Sequence, residues 1–358
     1  MDLFCGAGGL TCGLEAAGIS VEAGVDFEED CRYAYETNNE ATFYSRDLRE
    51  VAQENADFVE NLFDDSADIE LLAGCPPCQP FSPLTNGEAS SKHESYGLLD
   101  AFGDIIDYVR PDFVVMENVH NVYKAEIYQR FEDRMDEMDY CLNPHSDRDV
   151  YCPKYDVPQT RNRWVTLAAR GGIPDFGRPL HRHENDFPTV KETIDQLPKL
   201  EAGETHPDDP LHTARELSEK NLKRIRNSEP GGTWRDWPDE LILDCHREES
   251  GRSYDSVYGR MVPDEPAPTI TTQFYNLGSG RFGHYDTDQD RALSLREGAL
   301  LQTFPEDYHF FQQIEELGIR ETGKLIGNAV PPRLGQAIGK RVFEFYEKID
   351  RQTRLVDF

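Results

Sequence analysis

Two cysteines stand three positions apart among four prolines in LLAGCPPCQPFSPL, residues 71–84. Such a pair is compatible with a zinc knuckle, a dithiol redox pair, one nucleophilic thiolate on a stiff loop, or a purely structural turn. Zinc needs two more ligands in a comparable knuckle. Cys141 and Cys152 are far apart, however, and Cys245 adjoins His246. The spacing therefore favours no metal and one nucleophile, and it leaves the redox and structural interpretations open.

The stretch DLFCGAGGL, residues 2–10, predicts a short strand, a glycine-rich turn and the start of a helix. Glycines at such a turn let a ligand approach the backbone, and the first N–H groups of the helix are left free to bind it. Asp26 ends the next predicted strand, where a carboxylate can hold ribose hydroxyls. Taken alone, each feature is also explained by tight packing or by an exposed strand-end acid.

Short apolar runs predict the strands that must position these residues. Strands and helices alternate in the first half of the chain, which indicates an α/β fold with an open, mainly parallel sheet. Ligands of such sheets usually lie beyond the carboxyl ends of the strands. The predicted strands are 21–25, 69–74, 113–116 and 164–169, and the predicted helices are 98–110 and 125–138.

From about residue 171 the composition shifts to Gly, Pro, His and acidic residues, which indicates a second, smaller domain. A basic helix is predicted at 214–227, and helical patterns return at 294–304 and 333–349. We expect three segments: a first domain, a smaller inserted domain and a return to the first domain. Their expected ranges are 1–174, 175–275 and 276–358.

Charge is distributed unevenly along the chain. Acidic residues number 68 against 37 basic ones, for a formal net charge of −31, and only 10 of the bases are lysine. Residues 22–70 hold 16 acids and 3 bases, whereas 212–235 hold 6 bases and 3 acids. Such a surface repels polyanions at low salt. Two interpretations stay open, a halophilic composition suited to a high-salt cytoplasm or a basic partner.

Cysteine use and hydropathy bear on the compartment. Eight cysteines in a chain without an apolar leader are typical of a reducing interior rather than of a disulfide scaffold. No apolar run approaches the roughly 18 residues of a membrane span. We therefore expect a soluble cytoplasmic protein without a membrane partner.

Six motifs in one order resemble those of the cytosine-5 DNA methyltransferases, which use S-adenosylmethionine. Together they are far more specific than any one of them. The resemblance implies a Rossmann-like methyltransferase fold with a smaller target-recognition domain. The motifs are DLFCGAGG at 2–9, GCPPCQPFS at 74–82, ENV at 117–119, QTRNR at 159–163, RMVPDEPAPTITT at 260–272 and GNAVPP at 327–332.

The resemblance assigns the covalent chemistry to Cys78. In this family a thiolate adds to carbon 6 of cytosine, which makes carbon 5 nucleophilic. A loop stiffened by prolines holds such a sulfur with little entropy left to lose. Glu117 matches the residue that protonates ring nitrogen 3, and Arg163 matches the one that binds the base carbonyl. Arg161 is its expected neighbour in the site, and Cys75 is expected to be a packing residue.

For S-adenosylmethionine, the resemblance implies a pocket built from both ends of the chain. Asp26 is assigned to the ribose, and Asp47 to the adenine amine. Phe27 and Leu99 are expected to sandwich the adenine ring. The remaining residues assigned to the pocket are Phe4, Gly6, Gly8, Pro77, Asn328 and Val330.

The expected macromolecular partner is double-stranded DNA. Carbon 5 is stacked inside a duplex, so an enzyme of this kind must flip the base into its pocket. We expect the DNA to lie between the two lobes and the protein to be a monomer. A cognate restriction endonuclease as partner and a solitary enzyme both stay open. A solvated helix face is the other explanation for the basic run. The candidate phosphate contacts are Lys220, Lys223, Arg224 and Arg226.

Two alternatives and one departure accompany the resemblance. A transfer RNA branch of the family carries a Cys-Phe-Thr tripeptide in its second lobe, and this sequence has none. A catalytically inactive DNA-binding homologue is disfavoured because Cys78, Glu117 and Arg163 are all present. Met1 directly precedes Asp2, so we expect a clipped first strand.

Overall fold

The computed structural model describes residues 1–54, 56–64, 66–77, 97–248 and 255–356, with side chains left aside at 315–316 and 350–356. The chain divides into two compact units. The first unit contains Met1–Tyr151, Asn162–Leu180 and Pro332–Phe358, and the second contains Cys152–Arg161 and His181–Pro331. No helix among the described residues is long and apolar enough to cross a membrane.

A sheet of eight strands, counted over the described residues, forms the centre of the first unit. Its order is β3-β2-β1-β4-β5-β9-β6, and β7 also pairs with β9. The strands are β1 (Asp2–Leu3), β2 (Ala23–Asp26), β3 (Thr42–Ser45), β4 (Leu71–Gly74), β5 (Phe113–Val119), β6 (Cys141–Leu142), β7 (Asp149–Tyr151) and β9 (Asn162–Ala169). Strands β3, β2, β1, β4 and β5 are parallel, and β9 is antiparallel to β5.

Helices of the first unit pack against this sheet. The helices predicted at 98–110 and 125–138 are confirmed to within one residue at each end, and the one predicted at 333–349 is longer, from Pro332 to Val356. The helices are α1 (Gly9–Ala16), α2 (Arg32–Asn38), α3 (Leu48–Glu54), α4 (Asp57–Glu60), α5 (Leu98–Val109), α6 (Glu126–Glu137) and α12 (Pro332–Val356).

The predicted strands form because each is a continuous apolar run covered on both faces. Leu3, Val25, Leu72 and Met116, from four neighbouring strands, are completely buried in one core. The α/β prediction with a mainly parallel sheet is confirmed. The first strand is short, two residues, as expected.

Close packing of α1 against α12 joins the two ends of the chain. A Cβ added at Gly13 would stand 2.3 Å from the carbonyl oxygen of Pro332 and 2.6 Å from Cα of Gly335. Only glycine permits that approach of two helix backbones. The helix predicted at 333–349 therefore belongs to the first unit.

The second unit contains short elements. These are β8 (Gln159–Thr160), α7 (Val190–Ile194), β10 (Thr205–His206), β11 (Asp209–Thr213), α8 (Glu219–Arg226), α9 (Asp244–Arg247), β12 (Ala267–Pro268), α10 (Leu295–Leu301) and α11 (Ile314–Asn328). Strands β8 and β12 pair in parallel, and β10 and β11 form an antiparallel hairpin. The basic helix is shorter than predicted, because Ser218 has extended backbone angles and its side chain caps α8.

The predicted return to the first domain at residue 276 is wrong, because the return comes at Pro332. A buried arginine connects 276–331 to an earlier segment of the second unit. Arg291 and Glu297 are fully buried with Nη2 and Oε1 2.7 Å apart, and Arg291 Nε donates to Leu200 O at 3.2 Å. Burial alone would raise the pKa of Glu297, but Arg291 lowers it well below its usual range. Such a pair is costly to separate.

Candidate active site

The carboxyl ends of neighbouring parallel strands bring several predicted site residues to one edge of the sheet. Phe4 follows β1, Asp26 ends β2, Cys75 follows β4, and Glu117 lies in the second half of β5. These strands are adjacent in the sheet order. This is the edge at which open parallel sheets bind their ligands.

The turn after β1 leaves room for a ligand beside its backbone. Phe4, Gly6 and Gly8 have φ values of 59°, 51° and 86°, in the left-handed region. A Cβ added at Gly6 would meet no heavy atom within 4 Å. Because this space is open and the backbone borders it directly, the turn fits the approach of a cofactor such as S-adenosylmethionine.

Asp26 braces this turn from the next strand. Its Oδ2 accepts a hydrogen bond from the N–H of Gly6 at 3.0 Å, and its Oδ1 accepts one from the N–H of Glu28 at 2.9 Å. Burial raises the pKa of Asp26, and these two N–H donors oppose that effect. Each oxygen keeps a second lone pair, which a ribose hydroxyl could use.

Three further predicted cofactor residues differ in what they can offer. Phe27 is 63% exposed, so its ring is accessible to a stacking partner. Leu99 is 1% exposed within the core, so the predicted adenine contact finds almost no surface there. Asp47 accepts two hydrogen bonds from the guanidinium of Arg49 at 3.1 and 2.7 Å, and this partner lowers the pKa of Asp47.

The two cysteines of the proline-rich loop differ in what the structure shows. Cys78 lies outside the described residues. The N–H of Cys75 donates to Leu3 O at 3.2 Å, which continues the pairing of β4 with β1. Burial, and then the charge of Glu117, raises the pKa of the Cys75 thiol well above its usual range. A thiol kept neutral is a poor nucleophile, which supports a packing role for Cys75. Pro77 is half-buried.

Glu117 and Arg163 meet across β5 and β9. The register pairs Glu117 with Val165 and Val119 with Arg163, which places both side chains on one face. Arg163 Nε lies 2.8 Å from Glu117 Oε1, and the two side chains are 11% and 8% exposed. The contact is an ion pair without hydrogen-bond geometry, and Glu117 Oε1 makes no hydrogen bond to any described residue. The pair therefore keeps hydrogen-bonding capacity for a polar ring.

Asn118 connects this pair to the proline-rich loop, and sequence reasoning did not single it out. It is 1% exposed. Its Nδ2 donates to Pro76 O at 2.9 Å, and its Oδ1 accepts from the N–H of Val119 at 2.9 Å. Pro76 stands two residues before Cys78 in the chain. The only signal in the sequence was its position next to Glu117.

Arg161 lies in the second unit, although only Asn162 separates it from Arg163 in the chain. Arg161 is 4% exposed, and both terminal nitrogens of its guanidinium donate to the protein. It donates to Ile270 O at 3.2 Å, to Ala329 O at 3.4 Å and to Gln302 Oε1 at 3.4 Å. In this structure Arg161 ties three segments of its own unit together.

Gln302 is the second residue that the sequence reasoning missed. It is fully buried. Its Nε2 donates to Ile326 O at 2.7 Å and to Ala329 O at 3.1 Å, and its Oε1 accepts from Gln159 Nε2 at 2.5 Å. Gln159 Oε1 in turn accepts from the N–H of Ile270 at 3.1 Å. Gln302 lies in none of the six motifs, so no pattern marked it.

Asn328 and Val330 also lie in the second unit, at and after the end of α11. Asn328 is exposed, and Val330 is 7% exposed. The preceding Gly327 packs tightly, because an added Cβ would stand 2.4 Å from the carbonyl carbon of Thr271. The cofactor contacts of Asn328 and Val330 stay a prediction.

The basic helix corrects one predicted DNA contact. Lys220, Lys223 and Arg226 are exposed on α8, although Arg226 Nε donates to Asp290 Oδ2 at 2.7 Å. Arg224 is 6% exposed and donates from Nε to the main chain at 2.9 Å. It also lies over two aromatic rings of its own unit. Arg224 is therefore a core residue, and it cannot lie along a phosphate without unpacking. No group of three or more potential metal ligands lies together in the part of the chain that the structure describes.

Comparison with known proteins gives one consistent result. A sequence model of the C-5 cytosine-specific DNA methylases matches residues 1–344. The type II methylase M.HgiDII of Herpetosiphon aurantiacus is 43% identical over 99% of this chain and 98% of its own. The type II methyltransferase M1.HphI of Haemophilus parahaemolyticus is 30% identical over 96% of this chain and 86% of its own. A crystallised DNA modification methyltransferase from an E. coli prophage shares the fold, with a TM-score of 0.70, 19% identity, and coverage of 97% of this chain and 98% of its own.

The predictions of family, enzyme class and cofactor are thereby confirmed. The chain belongs to the C-5 cytosine-specific DNA methylase family, whose enzymes transfer a methyl group from S-adenosylmethionine to carbon 5 of cytosine in DNA.

Proposed function

We propose that this enzyme methylates cytosine within a short duplex DNA sequence, with Cys78 as the nucleophile, Glu117 as the proton donor and Arg163 as the ligand of the base carbonyl. The buried Glu117–Arg163 pair supports this proposal most directly. One carboxylate and one guanidinium, 2.8 Å apart and nearly excluded from water, can meet the two edge groups of one cytosine ring.

The roles of these side chains follow from the electron flow in the ring. The Cys78 thiolate forms a bond to carbon 6, and the electron pair of the 5,6 double bond is pushed toward ring nitrogen 3. Glu117 donates a proton there, so negative charge does not build up in the ring. Arg163 binds the carbonyl oxygen and holds the ring in place. Carbon 5 then takes the methyl group, and ring nitrogen 3 returns its proton to Glu117. Transfer of the carbon 5 proton to a base restores the 5,6 double bond and breaks the bond from carbon 6 to the Cys78 sulfur, which leaves as a thiolate.

S-adenosylmethionine, when bound, supplies the methyl group as an electrophile. The residues proposed to hold it in the first unit are those of the glycine turn, with Asp26 on the ribose and Phe27 against the adenine. Asp47 is proposed for the adenine amine, and Asn328 and Val330 are proposed as further contacts. The open space at Gly6 and the exposed ring of Phe27 support this assignment.

Duplex DNA is the proposed substrate form. The target base must leave the stack to reach Cys78, and Lys220, Lys223 and Arg226 are proposed phosphate contacts because they are exposed on one helix. Two relatives bear the names of type II methylases. We therefore propose that a cognate restriction endonuclease acts beside this enzyme, which works as a monomer in the cytoplasm where the DNA lies.

Paired cysteine variants test the proposed mechanism. Cys78→Ser should abolish methyl transfer to unmethylated genomic DNA, whereas Cys75→Ser should keep most of it because the Cys75 thiol is held neutral. A duplex containing 5-fluorocytosine should trap the wild type and Cys75→Ser covalently, and it should not trap Cys78→Ser. Equal loss in the two variants would mean that the thiols act as a pair and that the proposal is wrong.

The acidic composition supports a second proposal, adaptation to high salt. Between residues 22 and 70, 16 acids face 3 bases. At molar salt the screening length falls to roughly 3 Å, so repulsion between carboxylates and from DNA is suppressed. Methyl transfer should be maximal at about molar potassium chloride, and the fold should weaken near 0.1 M. A salt series of activity with circular dichroism checks this. An optimum at or below about 0.2 M with an intact fold would favour a basic partner instead.

A further inference from the structure

Gln302 is the point at which three of the six motifs meet inside the second unit. Its amide contacts Gln159 and Arg161 of the QTRNR motif and the carbonyls of Ile326 and Ala329, which border and enter the GNAVPP motif. Gln159 in turn bonds to Ile270, which lies in the motif at 260–272. Three of these five hydrogen bonds connect residues more than 100 positions apart in the chain.

The orientation of the Gln302 amide is fixed by its partners. Two main-chain carbonyls can only accept, so Nε2 must point at them. The Arg161 guanidinium can only donate, so Oε1 must point at it. Both polar atoms of the Gln302 amide have partners, and Gln302, Gln159 and Arg161 are all buried. Such a network is rigid when complete and costly when one member is lost.

The Ala329 carbonyl is the shared element. It accepts from Gln302 Nε2 at 3.1 Å and from Arg161 Nη2 at 3.4 Å. In the chain it stands between Asn328 and Val330, and Arg161 stands two residues before Arg163. Gln302 therefore connects two backbone segments. One contains Asn328 and Val330, the proposed cofactor residues, and the other leads to Arg163, the proposed ligand of the base.

We propose that Gln302 is a positioning residue that couples S-adenosylmethionine binding to the placement of the target cytosine. The proposal rests on the proposed function for the roles of Asn328, Val330 and Arg163. Gln302 itself touches neither substrate. It holds segments 327–331 and 159–161 in a fixed relative position, so a shift of one segment moves the other.

The test compares Gln302→Ala with a matched variant, Gln289→Ala. Gln289 is 6% exposed in the same unit, and its Oε1 accepts from the N–H of Leu200 at 3.1 Å and from Arg291 Nη2 at 2.7 Å. It touches none of the three motifs through these bonds. Both variants should lower Tm by similar amounts, since each breaks a buried polar network.

Calorimetric titration of the full-length protein with S-adenosylmethionine distinguishes the two variants. We expect Gln302→Ala to raise Kd about tenfold, the effect of losing one to two buried hydrogen bonds, and Gln289→Ala to change it by less than about twofold. Gln302→Glu keeps the acceptor for Gln159 and Arg161 and loses the donor to Ala329. It should raise the KM for S-adenosylmethionine about tenfold while kcat falls no more than about threefold. If Gln302→Ala does not fold, Gln302→Met takes its place in the titration, because methionine keeps the side-chain volume and removes the amide.

Asn328→Ala distinguishes a failure of the positioning role of Gln302 from a failure of the proposed function. If it weakens S-adenosylmethionine binding and the Gln302 variants bind normally, the positioning role is overturned while the proposed function stands. If neither weakens binding, the cofactor assignment of Asn328 and the positioning role of Gln302 both fail. Equal effects of Gln302→Ala and Gln289→Ala on Kd would also overturn the proposal, because a general loss of stability would explain them.

Discussion

Arg161 and Arg163 are two residues apart in one motif and use the same side chain in opposite ways. The Arg161 guanidinium is surrounded by carbonyls of the second unit and donates to them. Arg163, in the first unit, lies against the Glu117 carboxylate and donates from Nη1 to its neighbour's carbonyl at 2.8 Å. The difference shows how a buried polar group can be assigned. An arginine whose terminal nitrogens are hydrogen-bonded to the protein stabilises the structure around the site. An arginine with hydrogen-bonding capacity left can bind a substrate.

Removing the acid opposite Arg163 should have the largest effect. Glu117→Gln keeps a donor but cannot deliver a proton to ring nitrogen 3, so kcat should fall by about 10²-fold or more. Duplex binding should persist, because the side-chain volume is unchanged. Methyl transfer measured under single-turnover conditions checks the rate, and a gel-shift assay checks binding. A fully active variant would remove Glu117 from the mechanism.

Lysine substitutions at the two arginines should separate their roles. Arg163→Lys should lower kcat about 30-fold with an unchanged KM for S-adenosylmethionine, because a point charge replaces the planar fork at the base. Arg161→Lys should instead raise that KM and lower Tm, because the bonds to Ile270 and Ala329 are lost. Steady-state kinetics with calorimetry checks both. If both variants changed kcat, KM and Tm in the same way, the two arginines would not have different roles.

A smaller effect is expected at Asn118, which holds Pro76 next to the acid. Asn118→Ala should lower kcat about tenfold, since one buried hydrogen bond is worth about 1 kcal/mol and misplacement adds to the loss. Asn143 is the matched control, because it is fully buried and its amide binds Val165 O at 3.2 Å and the N–H of Leu167 at 2.9 Å. Asn143→Ala should lower Tm comparably and leave kcat of the folded enzyme nearly unchanged. The 5-fluorocytosine trapping rate should follow kcat in both variants.

The sequence could predict those parts of the site that depend on local pattern. The run 113–116 is apolar and buried and Glu117 follows directly, so its place near the carboxyl end of a strand was predictable, although β5 continues to Val119. The meeting of Glu117 with Arg163 required the register of β5 and β9, which no local pattern specifies.

Long-range polar contacts account for what the sequence did not reveal. Gln302 is one glutamine in a helical pattern, and only the folded second unit shows that it satisfies four groups. Arg224 lies in a basic run and carries the charge of a phosphate ligand, but the rings beneath it bury it. The boundary at 276 was wrong because Arg291 donates a hydrogen bond to Leu200 O, a contact over 91 residues that no local sequence pattern predicts.

The glycine contact between α1 and α12 has a consequence for synthesis. The helix that completes the first unit leaves the ribosome after the whole of the second unit, which needs nothing beyond residue 331. A nascent chain shorter than this exposes the Gly13 face of α1, and the long loop that must close to cover it makes docking of α12 a late event. A nascent chain therefore completes its first unit only after its second unit has been made.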